Sequence, residues 1–127
     1  MVTLEQFSYC PTHSTHPPFC YDFHYVKPGI VAIFGDNGSG KSTLAQLMAG
    51  WYPDFLPGEI TGTGTLLGTP IGHIPLNEQS ATIQLVQQSP YLQLSGCTFS
   101  VEEEVAFGPE NLCLAEEEIM ARIDAAL

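Results

Sequence analysis

Nine consecutive residues have the types and the spacing that hold the phosphates of a nucleotide. The segment Gly35-Asp36-Asn37-Gly38-Ser39-Gly40-Lys41-Ser42-Thr43 matches the pattern G-x-x-x-x-G-K-[ST]. Its glycines allow backbone conformations in which successive N–H groups point at phosphate oxygens. Lys41 supplies a positive charge that can reach the β- and γ-phosphates, and the Ser42 hydroxyl can bind Mg²⁺. This segment, the P-loop, therefore predicts a site for a nucleoside triphosphate.

The sequence on either side of the P-loop predicts the elements that such a site needs. The apolar run at residues 30–34 (IVAIF) lacks polar alternation and predicts a parallel strand buried on both faces. After the loop, Leu44, Leu47 and Met48 recur at helical spacing, and Gly50 is placed to end that helix. A glycine-rich turn can also serve only as a tight connection, but this strand-to-helix context favours phosphate binding.

The remaining chain predicts strands first and helices later. Residues 3–9 and 21–26 predict an antiparallel hairpin, and residues 59–67 predict a peripheral strand. Residues 82–87 predict a second strand of the main sheet. From Val101 the pattern is helical with an interruption at Gly108-Pro109, and a final helix carries Ile119, Ile123 and Leu127 on one stripe.

Composition narrows the class of protein. The 127 residues are enough for one domain, and no apolar stretch is long enough to span a bilayer or to act as a signal peptide. Three basic residues against fourteen acidic ones give a net charge of −11, which argues against a nucleic-acid partner. Acidic residues are concentrated from Glu102 onward, where we favour a solvated helical face over an interaction tail.

The cysteines offer one alternative site. Cys10, Cys20, Cys97 and Cys113 form no C-x-x-C pair, so a reducing cytoplasm is the simpler expectation. Cys10, His13, His16 and Cys20 have ligand types that suit Zn²⁺, although their spacing departs from the usual pairs. A proline-rich hairpin tip at residues 11–18 with incidental histidines is the favoured interpretation.

With these elements placed, nearly the whole chain resembles the N-terminal portion of an ATP-binding cassette (ABC) transporter nucleotide-binding domain. The P-loop is close to the G-x-N-G-x-G-K-S-T form of that family. Residues 85–90 (LVQQSP) resemble the strand that ends in the Q-loop, with Gln88 as its glutamine. Residues 7–9 (FSY) resemble the aromatic A-loop, in which Tyr9 would stack on adenine, but a plain strand aromatic is an equal alternative. Residues 101–112 are similar to a helix start of the energy-coupling-factor subgroup, which imports vitamins and transition-metal ions.

The resemblance implies a fold class, ligands and partners. The fold class is α/β: a P-loop NTPase with a cassette-like core, an N-terminal antiparallel β subdomain and the start of a helical subdomain. Within one partial domain, residues 1–29 form the β hairpin, 30–58 the strand-loop-helix, 59–100 a β region with the Q-loop, and 101–127 the helical start. ATP and Mg²⁺ are the implied cofactors. Residues implied to act in catalysis are Lys41 and Gln88, those implied to bind metal are Ser42 and Gln88, and those implied to bind nucleotide are Tyr9, Asn37, Gly38, Ser39, Gly40, Lys41, Ser42 and Thr43.

The same resemblance implies a subunit on the cytoplasmic face of the membrane. It would pair with a second nucleotide-binding domain and meet a transmembrane subunit through the Q-loop region. The family's L-S-G-G-Q signature, Walker B aspartate, catalytic glutamate and switch histidine are not in this sequence. We therefore expect the first half of a cassette that is inactive in isolation, with a marginal fold and exposed apolar surface. The alternatives are an ATP-binding module without turnover and another P-loop NTPase.

Overall fold

A four-stranded antiparallel sheet carries most of the ordered backbone in the N-terminal part. In the computed structural model, which describes all residues from 1 to 127, its strands are β1 (Val2–Pro11), β2 (Phe19–Tyr25), β3 (Gly58–Leu66) and β4 (Thr69–Pro70), in the order β2-β1-β3-β4. The predicted hairpin and the predicted strand at residues 59–67 are both confirmed. The chain divides into two compact units, Met1–Leu85 and Val86–Leu127.

One extra residue interrupts the pairing of β1. Leu4 pairs with Phe23 and Phe7 with Tyr21, so β1 advances three residues while β2 advances two, and β3 shows the same shift. Gln6 has a φ of 46° at this β-bulge. On the neighbouring strand, a Cβ at Gly62 would lie 2.1 Å from the Gln6 carbonyl oxygen, so only glycine fits beside the bulge.

The core of the first unit joins the sheet to the helix that follows the P-loop. Helix α1 (Lys41–Met48) contributes Leu44 and Leu47, and Gly50 has the positive φ of 82° expected after its end. The α1 prediction is thereby confirmed. The sheet side of the same buried cluster consists of Leu4, Phe7, Tyr9, Leu66 and Ile71.

The strand predicted at residues 30–34 is wrong. These residues have no regular secondary structure, and Ile30 and Phe34 are 99% and 90% exposed. A parallel strand needs neighbours that pair with its backbone and helices that cover its faces, and the four strands of the sheet pair only with one another. The predicted exposure of apolar surface is confirmed at this segment.

The second predicted strand of the main sheet, at residues 82–87, is also wrong for the same reason, because no strand forms there. The preceding chain, where no element was predicted, forms the short helix α2 (Leu76–Gln79). Its Gln79 is the buried polar residue of the chain, and Ile83 packs partly buried against the core.

Two helices and a structured turn make up the second unit. A 3₁₀ turn at Pro90–Gln93 precedes α3 (Val101–Asn111), and α4 (Glu116–Ala126) follows. The predicted interruption at Gly108-Pro109 is wrong, because α3 continues through Pro109 into its last turn. Of the predicted α4 stripe, Ile123 is buried, Ile119 is half-buried and Leu127 is exposed. None of the helices has the length and apolar character needed to cross a membrane.

Candidate phosphate-binding site

The P-loop leads directly into α1, and the backbone N–H donors at the start of this helix are available. Gly40 is the N-cap residue, with a φ of 90°, and Gly38 has a φ of 82°. The first hydrogen bond of the helix runs from Leu44 N–H to Gly40 O at 2.8 Å, and no side chain caps the helix. Its first turn also holds no acidic residue. The N–H groups and the positive end of the helix dipole are thus available to an anion.

The Lys41 ammonium lies against the same loop. Its Nζ donates to the carbonyl oxygens of Gly35 and Asp36, both at 2.7 Å, and to Ser39 Oγ at 3.3 Å. A phosphate offers this ammonium charged acceptors, which form stronger hydrogen bonds than neutral carbonyl oxygens. The arrangement therefore fits a polyphosphate, because one full positive charge and one helix N-terminus converge on the loop.

For Mg²⁺ the chain supplies one hydroxyl and little else. Ser42 is exposed in the first turn of α1, and the half-buried Thr43 follows it. No group of three or more His, Cys, Asp or Glu side chains is arranged to hold a metal ion. Mg²⁺ keeps several waters and binds through substrate phosphates plus one or two protein ligands, so the Ser42 hydroxyl fits such an ion only together with a bound polyphosphate.

Tyr9 belongs to the core and offers no surface to a nucleotide base. Its side chain is fully buried, and its hydroxyl donates to the carbonyl oxygens of Pro57 at 2.9 Å and Leu56 at 3.3 Å. Tyr52 packs edge-on against the ring, at a centroid distance of 6.3 Å, and burial raises the pKa of the Tyr9 phenol. The prediction that Tyr9 stacks on adenine is therefore wrong for this structure: the alternation of β1 turns the ring inward.

The sheet supports the P-loop through β2, which sequence reasoning missed. Tyr21 Oη donates to Gly40 O at 2.8 Å, and Phe19 covers the Gly40 Cα. The sequence predicted a hairpin strand at residues 21–26. Nothing in that pattern indicated that one of its aromatic side chains reaches the P-loop, since the contact spans nineteen positions of the chain.

Gln88 lies in the second unit, where its side chain is exposed. Nearby, Gln93 Oε1 accepts a hydrogen bond from Gln87 N–H at 2.8 Å. Farther along, the Glu104 carboxylate accepts from Ser95 N–H at 2.6 Å, Ser95 Oγ at 2.7 Å and Thr98 Oγ1 at 2.6 Å. These donors, with Thr98 foremost, hold the pKa of the Glu104 carboxyl below its usual range. The segment between the 3₁₀ turn and α3 is thereby fixed onto α3.

The zinc alternative finds no support in the structure. Cys10 and Cys20 are free thiols on β1 and β2, and His13 and His16 are exposed at the hairpin tip. None of these four side chains belongs to a group arranged to hold a metal ion.

The loop and the helix that follows it have the form of a P-loop, and comparison with known proteins gives the family. The family model described as ABC transporter matches residues 21–126. The chain belongs to the ABC transporter family. No solved structure matches it.

Relatives point the same way. A Methanosarcina mazei protein whose name describes an ABC transporter ATP-binding protein is 39% identical over 128 residues, which is 100% of this chain and 44% of that protein. A Bacillus subtilis protein named for HMP/thiamine import is 35% identical over 100% of this chain and 23% of its own length. An energy-coupling factor transporter ATP-binding protein of Levilactobacillus brevis is 43% identical over 76% of this chain and 32% of its own length. The chain thus spans less than half the length of each of these relatives.

Proposed function

We propose that this chain is the nucleotide-binding part of the ATP-binding subunit of an ABC importer. In this role it couples the binding and hydrolysis of ATP to transport across the membrane. The observation that carries the proposal is the convergence of Lys41 Nζ and the uncapped N-terminus of α1 on the loop at residues 35–43. Family membership supports ATP as the nucleotide.

In this proposal the residues divide the work by their chemistry. Backbone N–H groups of Asn37, Gly38, Ser39 and Gly40 surround the phosphates, and Lys41 neutralises their charge. The hydroxyls of Ser42 and Thr43 lie at the helix start, with Ser42 as the ligand for Mg²⁺, which polarises the phosphates when bound. Gln88 stays a proposed contact to the metal and to the attacking water, as the resemblance implies.

Turnover needs groups that this chain does not carry. The sequence holds no Walker B aspartate and no catalytic glutamate, and no group of three or more His, Cys, Asp or Glu side chains is arranged to hold a metal ion. A positioned base contributes about 10²–10⁴-fold to such a reaction. We therefore propose that the isolated chain binds ATP with little or no hydrolysis.

The import of a vitamin or a metal ion is the finer part of the proposal. The run at residues 101–112 resembles the energy-coupling-factor subgroup, and relatives with names from thiamine import and from that subgroup support it. In such an importer the chain would lie peripherally on the cytoplasmic face. It would contact a second nucleotide-binding domain and, through the Q-loop region, a transmembrane subunit.

The central test uses the two lysines of the chain as a matched pair. A fluorescent ATP analogue is titrated with Mg²⁺ into the wild type, Lys41→Ala and Lys27→Ala. Binding to the wild type and to Lys27→Ala, with a loss of tenfold or more for Lys41→Ala, is expected, because Lys27 is exposed and is not part of the P-loop segment at residues 35–43. Equal affinities for the three proteins would refute the proposed site.

Phosphate release from the same proteins separates binding from turnover. Steady release by the wild type that Lys41→Ala abolishes would contradict the proposed inactivity of the chain.

The importer role is tested by co-sedimentation with vesicles that carry the transmembrane subunit of an energy-coupling-factor importer. Vesicles with an unrelated membrane protein are the control, and equal sedimentation with both would contradict the proposed partner.

A further inference from the structure

We infer that Tyr21 is a positioning residue that aims the Lys41 N–H group at the bound phosphates. The inference rests on the proposed function, because it assigns a role within the same P-loop. It concerns a residue of β2, outside the sequence motif, whose hydroxyl reaches the loop by a single hydrogen bond of 2.8 Å to Gly40 O.

The peptide group between Gly40 and Lys41 is held in one orientation. Gly40 O accepts two hydrogen bonds of 2.8 Å, one from Tyr21 Oη and one from Leu44 N–H. A carbonyl oxygen has two lone pairs, so both are used. Because the peptide unit is planar and trans, fixing the Gly40 carbonyl also fixes the opposite direction of the Lys41 N–H. Tyr21 therefore orients a donor that it does not touch.

Gly40 has little freedom to move. It is buried, and a Cβ there would lie 2.5 Å from Tyr21 Oη and 2.6 Å from Phe19 Cδ1. The two aromatic side chains thus lie directly over the Gly40 Cα. At a φ of 90°, glycine has few conformational restraints of its own, so the contacts from β2 supply them.

Tyr21 itself is held by the core of the first unit. Its ring lies 6.4 Å from that of the fully buried Phe7, the residue opposite it on β1. Burial raises the pKa of Tyr21 to about 12, so the hydroxyl remains a donor at every pH at which the protein would be assayed. Contacts therefore connect the core to the phosphate site through Phe7, Tyr21 and the Gly40–Lys41 peptide.

The experiment compares Tyr21→Phe with Tyr25→Phe in the 127-residue chain. Tyr25 lies on the same face of β2, four residues farther along the strand, and its hydroxyl lies beside Gly29 and not beside Gly40. Affinities for a fluorescent ATP analogue and for inorganic tripolyphosphate are measured at a temperature where unfolding curves show each protein folded. Tyr21→Phe should weaken both ligands by roughly two- to tenfold, the range that one lost hydrogen bond produces, and Tyr25→Phe should leave both unchanged.

A spectroscopic readout distinguishes positioning from general destabilisation. In Tyr21→Phe without ligand, amide hydrogen exchange at Leu44, whose N–H donates to the same Gly40 oxygen, should accelerate while that of Leu47 stays as in the wild type. Equal affinities and equal Leu44 exchange in the wild type and Tyr21→Phe would overturn the inference. Failure of the wild type to bind either ligand would instead refute the proposed function.

A measurement on the wild type covers the case in which Tyr21→Phe does not fold. With tyrosines labelled at Cζ, tripolyphosphate should shift the Tyr21 signal, because a phosphate on the Lys41 N–H polarises the peptide whose oxygen accepts from Tyr21. The Tyr25 signal should not move. Binding of tripolyphosphate without a shift at Tyr21 would overturn the inference.

Discussion

Gln79 Nε2 donates a hydrogen bond to the carbonyl oxygen of Met48 at 2.5 Å, which ties α2 to the last turn of the P-loop helix. Met48 is the last residue of α1, where carbonyl groups lose their helical partners. Gln79 is only 5% exposed, and its amide also lies within 2.6 Å of where a Cβ on Gly50 would be. A residue thirty-one positions away thus caps the helix that begins at the phosphate site.

Removing this cap should destabilise the first unit. Gln79→Leu leaves the Met48 carbonyl without its partner at a part-buried site, and we expect a loss of about 1–3 kcal/mol in the free energy of unfolding. Urea unfolding measures the change. The control is Gln84→Leu, which removes an exposed hydrogen bond from Gln84 Nε2 to Ser80 O. Because water can replace that partner, the control should shift stability by no more than about 0.5 kcal/mol. Equal effects of both substitutions would show that the cap contributes nothing.

The two left-handed glycines of the P-loop should respond differently to alanine. Gly38→Ala meets open space and costs only the left-handed conformation, about 1–2 kcal/mol. Gly40→Ala carries the same conformational cost and also drives its Cβ into Tyr21 and Phe19, which adds about 1–3 kcal/mol. Unfolding free energies of the two variants test this order, and an equally stable pair would contradict the packing described around Gly40.

Acid should loosen the segment that precedes α3. The Glu104 pKa is lower in the folded protein than in the unfolded chain, so its stabilising contribution is complete above the unfolded pKa, about 4.3. That contribution is lost as the pH falls through the lower, folded pKa. In the wild type, amide exchange at Ser95, corrected for its intrinsic pH dependence, should therefore accelerate in this acidic range.

Glu104→Gln should show fast Ser95 exchange already at pH 7, with no further acceleration in acid. Glu102→Gln, on the exposed first turn of α3, serves as the matched control and should behave like the wild type. Slow exchange at Ser95 in Glu104→Gln would show that the carboxylate does not hold this segment.

Exposed apolar residues should make the chain bind hydrophobic dyes. Ile30→Ser together with Phe34→Ser should lower dye fluorescence without lowering the free energy of unfolding, because both side chains are almost wholly in solvent. Phe7→Ala, in the core, should instead cost about 3–5 kcal/mol. A wild type that binds no dye would contradict the exposed surface, and a stability typical of a complete domain would contradict the marginal fold.

Local patterns predicted the elements that need only local information. The hairpin, α1, β3 and the two later helices follow from alternation, helical spacing and turn residues. Residues 30–34 and 82–87 were wrongly predicted as strands, because an apolar run shows that a segment favours burial but cannot supply the strands that would pair with it. The division into two units was likewise absent from the pattern.

The site was predicted in part for the same reason. The motif at residues 35–43 was enough to predict its phosphate-binding donors, because these residues are neighbours along the chain. Tyr9 and Tyr21 could not be told apart by residue type, because both are strand aromatics. The fold buries Tyr9 beside Pro57 and carries Tyr21 to Gly40, and both contacts join distant parts of the chain. Whether Gln88 acts at the same site stays a prediction.

The bulge at Gln6 determines which side chains of β1 face the core. β1 connects this core to β2, the strand that contacts the P-loop. Leu4 and Phe7 are three positions apart, an odd spacing that would send them to opposite faces of a regular strand, yet both are buried. Deleting Gln6 would invert one half of β1 relative to the other and expose either Leu4 or Phe7 and Tyr9 to water. Gln6 is distant in sequence from the phosphate-binding loop. This one additional residue therefore determines whether the β1 side chains beside β2 form a continuous apolar face.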